Sequence, residues 1–510
     1  MCQLASLGYC AVVLVTILTV LELVYIVGLG TWILLEKRSP VATLAWILGL
    51  IALPYVGFVL FFFLGPRRVE KKRLRFKRAR ETQGTIEAIA CHPDDWDRRA
   101  AQLVKLAVSA GEPPAEHCRD VRIYADAEST YDAIIEAIGK ATHHVHVAYY
   151  IFDPRRSGTR LRDALIERAK AGVMVRLLVD DVGSSAIGKA FVAPMLAAGV
   201  KFARFNRVLF SRVRSRIDFR NHRKIVVCDG TVGFVGGINI ADEYLPELPE
   251  GDSAAKPSVA LGSQAIRDRS NERERRKRGH LGPWRDTHMR LEGDVVRWLQ
   301  LVFADDWFYA TGYATHGKVY FPEPTRKGDH FVQIVSSGPD REIESIQKLY
   351  FAAIAGARER VFVTTPYFIP DEASLTALTA TALRGVDVRV LVPRRSDSLV
   401  VTAAARSYYD TILRAGVKVY EYQPTMIHAK TLVVDDYFAA VGTANFDNRS
   451  FRLNFEVTGV VYGEKYAQAL ADMFFRDLED AVEITAAKRK KISLGWRLGE
   501  AGARVLSPLL

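Results

Sequence analysis

The chain opens on two long apolar runs. Residues 11–35 are apolar apart from Glu22, and residues 41–64 hold no charged side chain across 24 positions. At about 1.5 Å per helical residue, a run of that length crosses a hydrocarbon core of about 30 Å. Only Glu36-Lys37-Arg38-Ser39-Pro40 separates the two runs, which is room for a hairpin turn. The pattern therefore predicts two transmembrane helices over residues 1–66. No positive charge precedes the first run and a second follows at once, which fits a cleaved signal peptide badly.

Beyond about Val121 the pattern changes to short apolar strands alternating with helical periodicity. Residues 145–151 read as a strand, 161–171 as a helix and 173–179 as a buried strand. The series recurs as strand 361–365, helix 375–383 and strand 386–392. The two series match residue for residue in several places. AGVMVRLLVDD (171–181) answers RGVDVRVLVPR (384–394), and NHRKIVVCDGTVGFVGGIN (221–239) answers IHAKTLVVDDYFAAVGTAN (427–445). Alternating strands and helices predict an α/β fold, and the duplication predicts two pseudo-symmetric halves, 121–325 and 326–487. Residues 67–120, with Pro93, Pro113 and Pro114, read as a basic juxtamembrane segment and a linker with some helix. Residues 249–282 lack apolar periodicity and read as a basic loop inserted in the first half. Residues 488–510 read as a basic tail with an apolar face, for which docking at a membrane interface is the expectation.

Composition sharpens this picture through charge. The 510 residues carry 70 Lys and Arg against 58 Asp and Glu, a net charge of +12. Segment 67–80 holds +8, 264–280 holds +4 and 488–504 holds +5, which leaves −5 for everything else. Charge so placed points to an anionic membrane surface rather than to nucleic acid. Nine basic residues beside the second apolar run put the following chain on the cytoplasmic side of the membrane. Cys2, Cys10, Cys91, Cys118 and Cys228 show no paired spacing, as expected of reduced thiols.

The chemistry sits at the same place in each half. His222, Lys224 and Asp229 match His428, Lys430 and Asp435 in a His-x-Lys-x4-Asp pattern, and Asn239 matches Asn445 downstream. Residues i and i+2 of an extended chain share a face, so each His and its Lys project together while the residue between them points away. An imidazole can attack phosphorus or act as general acid near neutral pH. Two of them allow a double displacement through a phosphohistidine. The lysines, with Asn239 and Asn445, would stabilise charge on a five-coordinate phosphorus. The two Asp residues read as turn-closing beside Gly230 and Asp436. No metal or cofactor is called for, and the His cluster at 142–147 reads as core of a buried strand.

At these residues the chain resembles the phospholipase D superfamily with its two HKD motifs. The likeness extends to bacterial cardiolipin synthases of the membrane-anchored type through residues 37–68, PWRDTHMRLEG (283–293), TPYFIPD (365–371), NFDNRSFRLNFE (445–456) and the terminal ARVLSPLL. The resemblance implies two α/β halves meeting at one active site. It implies transfer of a phosphatidyl group between two phosphatidylglycerols, giving cardiolipin and glycerol. His222 maps to the nucleophile and His428 to the general acid and base. Asp286 and Glu456 map to the carboxylates that orient the imidazoles, each following the His of its own half, by 64 and 28 residues. Water or another alcohol as acceptor, phosphatidylethanolamine as donor, and the oligomeric state stay open at this point. A nucleic-acid enzyme and a non-catalytic scaffold are the readings from other classes, and the apolar hairpin and the intact His/Lys pairs speak against them.

Overall fold

The computed structural model describes residues 2–35, 40–53, 55, 97–206, 219–246, 283–315, 317–341 and 343–507. The expected basic segment 67–80 and the insert 249–282 lie outside the described residues. The chain divides into two compact units, Met1–Val69 and Glu70–Leu510.

In the first unit, helices Cys2–Leu35 and Pro40–Ala52 meet through Leu29, Ile33 and Leu50, with Tyr25, Trp46 and Ile47 packed around them. Among the described residues no helix is long and apolar enough to cross a membrane. The two spans expected over 1–66 fall partly on residues outside that set, including the side chains of residues 2–15 and most of 54–64.

The second unit is mixed α/β. Its first strands are β1 (Glu116–Cys118), β2 (Asp120–Tyr124), β3 (His144–Tyr149), β4 (Met174–Asp180), β5 (Lys201–Phe205), β6 (Ile225–Cys228), β7 (Val232–Gly236) and β8 (His288–Glu292). Next come β9 (His330–Ser337), β10 (Arg360–Thr364), β11 (Phe368–Ile369), β12 (Asp387–Pro393) and β13 (Lys418–Tyr422). The series ends with β14 (Thr431–Val434), β15 (Phe438–Gly442), β16 (Phe446–Asp447), β17 (Glu456–Tyr462) and β18 (Ala481–Ile484).

The duplication is visible in the strand order. One sheet runs β2-β8-β7-β6-β3-β4-β5, and the other runs β1-β9-β17-β15-β14-β10-β12-β13-β18. Without the edge strands β1 and β18, the two orders correspond strand for strand. In each, three parallel strands (β3-β4-β5 and β10-β12-β13) are joined by crossover helices, as parallel pairing requires. Helices Arg156–Lys170 and Lys189–Ala197 make those crossovers in the first sheet, and Glu372–Leu383 and Leu399–Arg414 in the second. A further parallel pair, β11 with β16, stands apart from both sheets.

The sheets share a core. Ile225, Val235, Met289 and Leu291 of the first lie in one apolar cluster with Ile334, Val433, Val441 and Val457 of the second. Gly459 on β17 allows that approach, because a Cβ there would strike the Met289 methyl. Separate clusters fill the space between each sheet and its crossover helices.

Residues 97–118 differ from the expected linker. Helix Arg98–Ser109 buries Ala100, Leu103, Val104 and Ala107 in the core of the second half, and β1 pairs antiparallel with β9. Glu112 accepts from the Ser336 amide at 2.9 Å and from the Ser345 hydroxyl at 3.1 Å. The segment precedes the first half in sequence yet completes the second. Its short amphipathic helix carries no mark in sequence of which half it serves.

Candidate active site

The two His/Lys pairs enter strands β6 and β14 in extended backbone, and both are buried. Alternation works as expected. Lys224 donates to the His222 carbonyl at 2.6 Å, while Arg223 points the other way, to Asp306 at 2.5 Å. In the second copy Lys430 donates to the His428 carbonyl, and its Nζ lies 2.7 Å from His428 Nδ1.

The carboxylates are exchanged between the halves, which corrects the expected pairing. His222 Nδ1 lies 3.0 Å from both oxygens of Glu456, and His428 Nδ1 lies 2.7 Å from Asp286 Oδ2. The backbone explains the exchange. The His222 amide donates to the Phe455 carbonyl at 2.9 Å, and the His428 amide donates to the Arg285 carbonyl at 2.6 Å. Asn221 bridges Phe455, and Ile427 bridges Arg285, each as a parallel rung between halves. Each histidine is thus stitched to the segment that carries the other half's carboxylate.

Each carboxylate is in turn held. Glu456 accepts from the Thr443 hydroxyl at 2.5 Å and from Asn454 Nδ2 at 3.1 Å. Asp286 accepts from the Thr287 amide at 2.7 Å. At the position of Thr443 the first half has Gly237, and a Cβ there would collide with Asp286 Oδ1. Both carboxyl groups are pushed up by burial and pulled further down by the neighbouring His and Lys, so both stay below their ordinary values and ionised. An ionised carboxylate only accepts, so each imidazole presents an Nδ1–H to its carboxylate.

Burial is the first cause that lowers both imidazoles, His222 to about 4 and His428 to about 3. Glu456 opposes the shift at His222, whereas Lys430 adds to it at His428. Burial and mutual repulsion also bring Lys224 down to about 7, and burial brings Lys430 to about 8. Without an anion the site holds neutral imidazoles and two ammonium groups poised to lose their charge.

Aromatic rings wall the histidines. Tyr150 stands edge-on to His222 at 5.1 Å, and Trp284, Tyr244 and Tyr367 lie 5.2, 5.9 and 6.3 Å from His428. The Tyr244 hydroxyl is 2.9 Å from His428 Nδ1 and accepts from Asn239 Nδ2 at 3.2 Å. Asn239 is therefore engaged with Tyr244, and its Oδ1 with the Ile151 amide at 3.3 Å. Asn445 is buried; its amide donates to Ser450 Oγ at 3.1 Å. Sequence patterns contained Trp284 and Tyr367 without giving them a role, because aromatic residues are common in cores.

Asp229 and Asp435 stand elsewhere, at the far ends of β6 and β14. Asp229 accepts from the amides of Thr142, His143 and His144 at 2.8–2.9 Å. Asp435 accepts from those of Arg358, Glu359 and Arg360 and pairs with Arg99. Both have positive φ, 53° and 49°, at the turns that close two hairpins. They tie hairpin to sheet, in keeping with the turn reading. The His cluster is likewise core, with His144 and His146 both reaching Gln300. Cys118 and Cys228 are buried free thiols.

Residues 134–250 and 350–478 match the family model described as "Cardiolipin synthase, PLD-like domain", and residues 23–66 match "Phospholipase D-nuclease N-terminal". Among curated proteins, the chain is 38% identical over 491 residues to cardiolipin synthase 2 of Bacillus anthracis, covering 94% of this chain and 89% of the relative. It is 39% identical over 486 residues to the cardiolipin synthase of Geobacillus sp. (strain WCH70), covering 93% and 90%. The fold is similar to the crystal structure of the phosphatidylserine synthase of Haemophilus influenzae Rd KW20, with a TM-score of 0.55 at 12% identity over 81% of this chain and 99% of that one. With nearly full-length relatives at this level of identity, the chain belongs to the bacterial cardiolipin synthases of the phospholipase D superfamily.

Proposed function

We propose that this enzyme is a phosphatidyltransferase that joins two phosphatidylglycerols into cardiolipin and glycerol. Nε2 of His222 attacks the phosphorus of the first phosphatidylglycerol, and the bond from phosphorus to the headgroup glycerol oxygen breaks. That oxygen takes the Nε2 proton of His428, which takes up one proton from solvent as the anion binds, and glycerol leaves. The hydroxyl of a second phosphatidylglycerol then attacks the phosphatidyl-histidine, gives its proton back to His428 and frees His222. Lys224 and Lys430 neutralise the charge on the non-bridging oxygens. An arriving phosphodiester anion raises the affinity of His428 for the proton it must donate.

The observation that carries this reading is the exchanged pairing. Two buried imidazoles, each fixed by a buried carboxylate of the other half, share the site with Lys224 and Lys430. We further infer that residues 1–66 anchor the enzyme in the cell membrane with the catalytic unit cytoplasmic. The helix surfaces around the Leu29–Ile33–Leu50 contact support this, since Val20, Leu21, Leu23, Val24, Leu44, Leu48 and Ile51 are all exposed. Purified enzyme incubated with headgroup-labelled phosphatidylglycerol tests the reaction. Cardiolipin with equimolar free glycerol is expected; phosphatidic acid as sole lipid product would make the enzyme a hydrolase.

A further inference from the structure

Helix Leu494–Val505 turns an apolar face to solvent. Its inner side is fixed: Ala503 is buried in the second-half core, and buried Glu500 binds Arg489, which also holds Asp410 of helix Leu399–Arg414. At 100° per residue, Leu494, Leu498, Ala501 and Val505 fall within about 60° of one another, on the side away from Ala503. Leu494 is 73% exposed, Leu498 64% and Val505 78%. Lys488, Lys490 and Lys491 precede the stripe, and Arg497 and Arg504 flank it.

The helix on which it packs continues the pattern. Leu399, its first residue, is 84% exposed and follows Asp397 by two positions. Asp397 accepts from the Tyr367 hydroxyl at 2.8 Å, and the Tyr367 ring faces His428. An exposed apolar residue of this helix pair thus lies two positions from the hydrogen-bond partner of a ring that walls the site.

We propose that helix Leu494–Val505 is an interfacial helix that lays Leu494, Leu498 and Val505 into an anionic bilayer and so presents the active site to lipid in the membrane plane. An apolar stripe preceded by Lys and bordered by Arg is the chemistry that binds the boundary between headgroups and acyl chains. Arg489 and Glu500 lock the helix to the catalytic body, so its depth sets the height of the site. This rests on the lipid-substrate reading above and adds the surface through which substrate is reached.

The test uses the full chain with Leu494→Glu, Leu498→Glu and Val505→Glu combined, assayed on two forms of phosphatidylglycerol. On vesicles of phosphatidylglycerol and phosphatidylcholine, cardiolipin synthesis is expected to fall at least tenfold. On short-chain phosphatidylglycerol below its micellar concentration, synthesis should equal that of the unaltered enzyme, which also shows that the variant is folded. A second measurement compares the unaltered enzyme with Leu498→Trp in vesicles containing brominated lipid. The emission added by Leu498→Trp should be quenched, and unquenched added emission overturns the proposal. Equal vesicle activity of the triple variant, or a change in oligomeric mass with vesicle activity retained, overturns the proposal, the latter by assigning the stripe to a second copy of the chain. Loss on both substrate forms overturns it too, since the stripe would then serve the fold. Absence of cardiolipin even from the unaltered enzyme would instead reject the reading of the reaction.

Discussion

Each imidazole of this site depends on a carboxylate from the far half of the chain, and single substitutions separate the two pairs. Glu456→Gln keeps the shape but no longer stabilises an imidazolium at His222, and kcat is expected to fall by about 10²–10⁴-fold. In protein labelled with ¹⁵N-histidine, this change should move the His222 signals and leave those of His428 in place, and Asp286→Asn should do the reverse. The opposite assignment would restore the pairing within each half. The lysines govern the alkaline side. Lysine is charged below its pKa, so Lys224 and Lys430 lose charge as pH rises through about 7 and about 8. The anionic substrate then binds less well, and kcat/KM, which reports the free enzyme, is expected to decline over that range. Bound phosphodiester favours the ammonium form, so kcat itself should hold to higher pH. A kcat/KM flat to pH 10 would show that neither ammonium contributes to binding.

The motif's conserved-looking spacing conceals a division of labour along one strand. His222 and Lys224 stand at the entry to β6 and Asp229 at its exit, where it gathers three amides of the neighbouring segment. Asp229→Ala should therefore act on stability, lowering it by about 2–4 kcal/mol through lost charge-assisted hydrogen bonds. Thermal unfolding would show this as a lower Tm, while kcat per folded molecule stays near that of the unaltered enzyme. A 10³-fold fall in kcat at unchanged Tm would return Asp229 to the chemistry. Much at this level was legible beforehand. Apolar periodicity located β3, β4, β10, β12 and the helices between them to within a few residues, because buried strands and crossover helices are patterned by the sheet they serve. The role of residues 98–118 was not, since pairing of β1 with β9 is a contact across more than 200 positions that leaves no local trace.

The duplicated sheets bring their equivalent strands to a common core, and the proposed active site forms where the two halves exchange backbone rungs at Asn221–Phe455 and Arg285–Ile427. Sequence repetition showed that there are two halves and which His and Lys correspond. It did not show the exchange of carboxylates, because a repeat reads equally well with every partner inside its own copy. Neither half holds a complete set of His, Lys and orienting carboxylate, so the chemistry belongs to the assembled pair. The double displacement then makes one demand on the covalent record. Enzyme mixed rapidly with phosphatidylglycerol labelled in its phosphatidyl part, quenched in alkali and digested, should carry transient label on His222. A chase with unlabelled phosphatidylglycerol should move that label into cardiolipin. Cardiolipin formed at the full rate without labelled protein, or label on His428 in place of His222, would contradict the mechanism.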